Sequence, residues 1–227
     1  MRNPFWRTRL ANTPFVTYAL LAVTFAVFLL ETVNGGSTQT EVLVRYGARF
    51  NPYIILYGEW WRFITPMFVH VGLMHIVVNA VSMYYLGMLS ERLFGHWRFL
   101  VIYLVSGIAG NVASFVFKPE VVSAGASTAI FGLLGAFLLL GDVFRDNPTV
   151  RMLARQFLAM AVINLAFNLF DSQVDMAGHI GGLLGGFLIA GVVGAPQIGT
   201  MSTSRRVVCA AVLVVAGAVL LRLGYAG

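Results

Sequence analysis

Apolar stretches long enough to cross a bilayer recur from near the start of the chain to its end, at about residues 14–31, 72–90, 97–117, 126–141, 152–170, 176–194 and 207–223. The sequence therefore predicts seven transmembrane helices and an all-α polytopic membrane protein. Composition agrees: of 227 residues, 59% are hydrophobic and only 11% are charged, and the mean hydropathy of +0.82 lies far above that of a soluble domain. Arg2, Arg7 and Arg9 ahead of the first stretch imitate a signal peptide. Its length favours an uncleaved anchor, and six further spans make membrane integration independent of that choice.

Orientation follows from the Lys/Arg bias. With the N-terminus inside, Arg2, Arg7, Arg9, Arg92, Arg98, Arg145, Arg151, Arg155, Arg205 and Arg206 fall inside, against Arg45, Arg49, Arg62, Lys118 and Arg222 outside. The bias predicts a cytoplasmic N-terminus, in a plasma membrane or a bacterial inner membrane. The net charge of +6 is then explained by topology and anionic inner-leaflet lipid, which removes nucleic acid as an expected partner. The one cysteine, Cys209, allows no internal disulfide.

The chain divides into a cytoplasmic segment (1–13), a six-helix core (14–194), a linker (195–206) and a seventh span (207–223) that reads as an appendage. The longest connection, 32–71, contains FNPYIILYGEWWRFITPMFV, whose aromatics, Trp60 and Trp61 among them, suit short helices lying in the outer interface. The other connections are short, as expected for antiparallel neighbours in a bundle.

Strongly polar side chains inside spans are costly and are candidates for function. They are His75 and Asn79 in the second span, Ser127 opening the fourth, Asn164 and Asn168 in the fifth, and His179 early in the sixth. Counting roughly 20 residues outward from each span's inner end places the outer limits near Val71, Val122 and Asp175. His75 and His179 then lie about 6 Å deep, Ser127 about 8 Å and Asn79 about 12 Å. These four groups share one layer near the outer face. Residues 123–126 fall in the same layer, where Gly125 argues against regular helix, and non-helical backbone at that depth implies a water-accessible cavity.

At a helix N-terminus the Ser127 hydroxyl sits beside N–H groups that lack intrahelical partners and can stabilise developing negative charge. His179, at matching depth, is the candidate general base. His75 and Asn79, spaced i,i+4, share a helical face and can donate to an oxyanion. His70 stands where the second span begins and more plausibly holds the loop. Gly178, Gly182 and Gly186, with Gly181 and Gly185 alongside, face Gly132, Gly135 and Ala136 as small-residue stripes that let the fourth and sixth helices approach. The pattern points to peptide-bond hydrolysis.

Together, Trp61-Arg62 in the long loop, His70 followed by His75-Ile-Val-Val-Asn79, Gly125-Ala126-Ser127, and His179-Ile-Gly-Gly182 with Gly186 resemble the rhomboid family of intramembrane serine proteases in order, spacing and span placement over about residues 14–194. The resemblance implies a Ser127–His179 dyad, oxyanion stabilisation by His75, Asn79 and the Ser127 N–H, and a structural role for Trp61-Arg62. It implies transmembrane protein substrates cut near the outer boundary, with no metal or cofactor; the oligomeric state is left open. Three positions depart from the pattern common in the family: Thr128 where glycine is frequent, which would narrow the pocket or alter substrate preference, Phe131 where some members stack a tyrosine on the histidine, and Gly178 where alanine is frequent.

Other readings compete. Asn164 and Asn168 suit interhelical hydrogen bonding, Asp171 and Asp175 suit the solvated outer boundary, with a contact of Asp175 to the cavity rim as the alternative, and Arg62 suits Glu59 or loop carbonyls. His70, His75 and His179 could bind zinc, though no carboxylate stands obviously near as a base. A non-catalytic relative binding membrane clients would not need Ser127 and His179, and a transporter would place its broken helix at the midplane, not near the outer face.

Overall fold

The computed structural model describes residues 13–169 and 174–226. The expectations resting on Arg2, Arg7, Arg9 and Asp171 fall outside the described residues.

Among the described residues six helices are long and apolar enough to cross a membrane: α1 (Phe15–Val33), α4 (Gly72–Phe94), α5 (His96–Phe117), α7 (Pro148–Asn168), α8 (Met176–Val193) and α9 (Thr203–Ala226). The remaining apolar helix, α6 (Ser127–Val143), has only 17 residues. Its start is late because Gly125 adopts φ +127°, a left-handed value that ends any continuation of helix toward residue 122. Among the described residues there is no β-strand, only an isolated antiparallel bridge between Arg49 and Ser123. The protein is an all-helical integral membrane bundle.

Local chemistry sets the helix ends. The Glu91 carboxylate accepts the Val16 and Thr17 N–H groups at 3.0 and 2.8 Å and the Thr17 hydroxyl at 2.6 Å, capping α1 from a distance of 74 residues in sequence. A carboxylate there also meets the positive end of the helix dipole. Asn147 caps α7 by accepting from the Thr149 and Val150 N–H groups, with Pro148 at the first helical position.

The long connection holds two short helices, α2 (Thr40–Arg45) and α3 (Asn51–Tyr57), followed by 3₁₀ turns at Trp60–Phe63 and Thr65–Phe68. Two buried arginines organise it. Arg62 pairs with Glu59 at 2.5 Å, donates to the Val44 and Ala48 carbonyls at 2.8 and 2.7 Å, and lies over the Tyr53 ring. Arg49, fully buried, donates to the carbonyls of Lys118 and Val121 at 2.9 and 2.7 Å and to Asn51. Burial lowers its pKa to about 10, against the favourable charges of Asp175 and Glu120, so the guanidinium stays charged near neutral pH. Arg49 is thus no free loop cation, as the charge count treats it, but a rivet between the first loop and the segment leading into α6. Trp60 and Trp61 remain exposed.

Helices α5, α6 and α8 form the packed centre, with α1 and α4 on one flank, α7 resting on α6, and α9 against α8 and α5. In lipid no hydrophobic gain drives helices together, so association depends on close van der Waals contact. Glycine supplies it. A Cβ on Gly182 would sit 2.1 Å from the Thr128 carbonyl oxygen, and one on Gly186 or Gly135 would sit 1.9 Å from the carbonyl oxygens of Gly132 and Leu183. Gly181 and Gly185 turn the other way, onto Ala113 and Ala109 of α5. Helix α9 is fastened at both ends: Cys209 fills the space over Gly191, and Gly224 and Tyr225 meet the Phe115 ring. Arg205 adds an ion pair to Asp142 at 2.8 Å.

Candidate active site

The first turn of α6 is assembled from three sides. Gly125 donates its N–H to the Pro66 carbonyl at 2.9 Å, and Ala126 donates its N–H to His70 Nε2 at 3.3 Å. His70 Nδ1 lies 3.3 Å from the Phe68 carbonyl, so the neutral tautomer with the proton on Nδ1 satisfies both contacts. Burial first, and then the neighbouring His75, push the His70 pKa down to about 4. With both ring nitrogens committed to backbone, His70 holds the loop against the start of α6 and has no lone pair left for a metal.

Gly125 has a second reason to be glycine besides its φ. A Cβ there would lie 2.7 Å from Cε1 and 2.8 Å from Nε2 of His75, whose ring therefore lies directly against the turn preceding Ser127. His75 Nδ1 accepts the Val71 N–H at 3.2 Å, which puts the ring proton on Nε2, the nitrogen near that turn. One turn on, Asn79 is buried and donates one amide N–H to the His75 carbonyl at 2.9 Å, leaving its second amide hydrogen unused by that bond.

His179 meets Ser127 across the α6–α8 contact: Nε2 lies 2.8 Å from Oγ. The imidazole stacks on Phe131, with centroids 4.3 Å apart and planes 12° from parallel. On its far edge, Nδ1 lies 2.9 Å from the amide nitrogen Nδ2 of Asn168 on α7. The N-terminus of α8 is anchored by Asp175, which accepts the Gly178 N–H at 2.8 Å, the Ser123 hydroxyl at 2.7 Å and the Ser114 hydroxyl.

Several expectations change here. Asp175 lines the cavity, as the alternative reading had it, and is in addition a triple acceptor joining α5, α8 and the turn before α6 rather than a purely solvated boundary residue. Asn164 bonds the Met160 carbonyl of its own helix at 2.8 Å and makes no interhelical bond among the described residues, whereas Asn168 does cross to α8. Thr128 turns its methyl into the crevice made by Gly110 and Gly178, and its buried hydroxyl oxygen has no partner among the described residues.

Ser127, His179, His75 and Asn79 all line one cavity of about 640 Å³. It runs between α4, which contributes Val78 and Ser82, and α7, which contributes Met160, Asn164 and Asn168. A partly exposed hydroxyl next to an imidazole, at a helix N-terminus and inside a cavity with room for many waters, has the chemistry to serve as a serine nucleophile on a membrane bundle.

Comparison with known proteins places that class. The Rhomboid domain family matches residues 57–196. The chain is 43% identical over 201 residues to the rhomboid protease GluP of Bacillus subtilis, covering 88% of this chain and 39% of GluP. It is 34% identical to RHOMBOID-like protein 6, mitochondrial, of Arabidopsis thaliana over 91% of this chain and 73% of that one, and 36% identical to RHOMBOID-like protein 7 of the same plant over 73% and 52%. The chain belongs to the rhomboid family. It spans about two fifths of GluP and about half of RHOMBOID-like protein 7.

Sequence reading missed the contact of Asn168 with the histidine ring and the burial of Arg49. The first had a usable signal, since Asn168 lies at the outer end of its span, in the layer of His179, while Asn164 lies a turn deeper. The second had none.

Proposed function

We propose that the protein is an intramembrane serine protease that hydrolyses peptide bonds of transmembrane substrates near the outer membrane boundary, with its N-terminus cytoplasmic and its cavity opening to the outer side. The observation that carries this reading is the 2.8 Å contact between Ser127 Oγ and His179 Nε2 inside a cavity reached between two lipid-facing helices.

His179 takes the hydroxyl proton as Ser127 Oγ attacks the scissile carbonyl, and returns it to the leaving amine. The carbonyl oxygen becomes negative as the tetrahedral intermediate forms. His75 Nε2–H, the free amide hydrogen of Asn79 and the Ser127 backbone N–H are the donors placed to receive it. Water then enters the cavity, loses a proton to His179 and attacks the acyl-enzyme, releasing the second product and restoring the hydroxyl. Trp61-Arg62 holds the first loop in place, and Gly182 and Gly186 keep α8 at the spacing the dyad needs. No step in this sequence calls for a metal or cofactor.

The test is labelling of detergent-solubilised protein by a fluorophosphonate, together with cleavage of a transmembrane reporter in lipid. Wild type should label and cleave, while Ser127→Ala and His179→Ala, folded as judged by thermal melting, should do neither. Cleavage retained by either variant would refute the assignment, and a folded wild type that neither labels nor cleaves would favour a non-catalytic protein that binds membrane clients.

A further inference from the structure

A histidine stacked on an aromatic face is held in one plane but not in one sense. Rotating the His179 ring by half a turn about Cβ–Cγ would leave it stacked on Phe131 while carrying Nε2 away from Ser127. Phe131 is hydrocarbon and cannot tell the two settings apart. Asp175, one turn before His179, spends its carboxylate on Gly178, Ser123 and Ser114. His75 spends its Nδ1 on the Val71 N–H. Among the described residues the one polar group at hydrogen-bond distance from His179 Nδ1 is the Asn168 amide, whose Nδ2 lies at 2.9 Å.

We infer, on the basis of the proposed dyad, that Asn168 is a positioning residue for His179: its side-chain oxygen accepts the Nδ1–H and so keeps the Nε2 lone pair turned toward Ser127 Oγ.

The structure sets Asn168 Nδ2 toward the ring; the proposed bond turns the amide over in place, exchanging oxygen for nitrogen, because the proton count requires it. An amide presents an acceptor on one side and a donor on the other. With the NH₂ left directed at Nδ1, the ring proton would sit on Nε2, and His179 could not take the proton of Ser127. During turnover the ring carries hydrogens on both nitrogens, and a donor facing Nδ1 would then oppose it. The oxygen fits both the neutral base and the cation, so it is the orientation compatible with every stage of the reaction. Nor is the bond a by-product of tight packing, because α7 leans on α6 and touches α8 only slightly. Asn168 reaches across where its helix ends.

The experiment compares full-length wild type with Asn168→Leu, which keeps the volume but has no acceptor, and Asn168→Asp, which keeps two acceptor oxygens. Fluorophosphonate labelling rates, kcat and KM on a transmembrane reporter, and melting temperatures are read for each, with Ser127→Ala as the blank. Asn168→Leu should label and turn over on the order of a hundredfold more slowly with unchanged KM and melting, and Asn168→Asp should stay within about tenfold of wild type. Wild-type labelling in Asn168→Leu would overturn the inference, and so would equal losses in both variants accompanied by a raised KM, which mark a substrate contact or a packing role. In those outcomes Ser127-dependent labelling of the wild type still stands. Labelling that survives in Ser127→Ala instead removes the dyad itself, and this inference with it.

Discussion

The centre of the bundle and its lipid-facing flank are built on opposite terms. In α5, 61% of the most apolar window is buried, whereas the figures for α7 and α9 are 17% and 11%. Carbonyl oxygens of α6 sit where the Cβ atoms of Gly182 and Gly186 would be. By contrast Gly217 of α9 has nothing within 4 Å of such an atom. Ser127 and His179 belong to the tight part, and the cavity they share is walled by the loose one. Close seating of Ser127 against His179 and the open wall of their cavity are therefore supplied by different helices, with Asn168 as a polar bond between them.

That contrast can be broken by adding single atoms. Gly186→Ala should have the largest effect, about 3 kcal/mol or more of lost stability, because backbone on both sides must shift. Thermal melting should fall and labelling should be lost together; a wild-type melting curve would show that the α6–α8 contact has slack. The next effect lies at the seam between loop and centre. His70 is neutral in the fold, with its pKa lowered from 6.5 to about 4, so stability is fully present above about pH 6.5 and is lost as pH falls toward 4, by up to about 3 kcal/mol. The Glu31 carboxyl, which accepts the His70 backbone N–H, is the titratable group to vary alongside it. Melting followed across that range should slope for wild type and flatten for His70→Asn.

Asn79→Ala should sharpen the comparison from the chemical side. Two other proposed oxyanion donors remain, so the cleavage rate should drop about tenfold to a hundredfold while melting holds, and full activity would remove Asn79 from that role. Gly217→Ala, on the loose flank, should be the smallest change. Its effect on melting should lie within about 0.5 kcal/mol, or be slightly stabilising through helix propensity.

Much of this was legible in the chain. Hydropathy alone delimited the helices, and charge boundaries placed Ser127, His75, Asn79 and His179 in one layer, because in a bilayer depth is a function of residue count. What depth does not encode is direction around the helix and across loops. Asn164 and Asn168 share a face, yet one bonds its own backbone and the other reaches His179, a difference that depends on where α7 stops. Arg49 looked like any outer-loop cation, since its partners are carbonyls some 70 residues away that hydropathy cannot see. Asp175 looked like a boundary acid for the same reason: Ser114 and Ser123 become its neighbours only after α5 and α8 have met.

The glycine seam between α6 and α8 also limits how the site can vary. Thr128 faces Gly182 and Gly132 faces Gly186, so the same four-residue step, about 6 Å of rise, separates the contacts on both helices. The seam works as a detent: with backbone seated on backbone there is no compressible layer to absorb a partial slide, and any displacement short of the next step lifts the helices apart. Ser127 and His179 are consequently engaged or disengaged as a unit, without a graded series of weaker settings between.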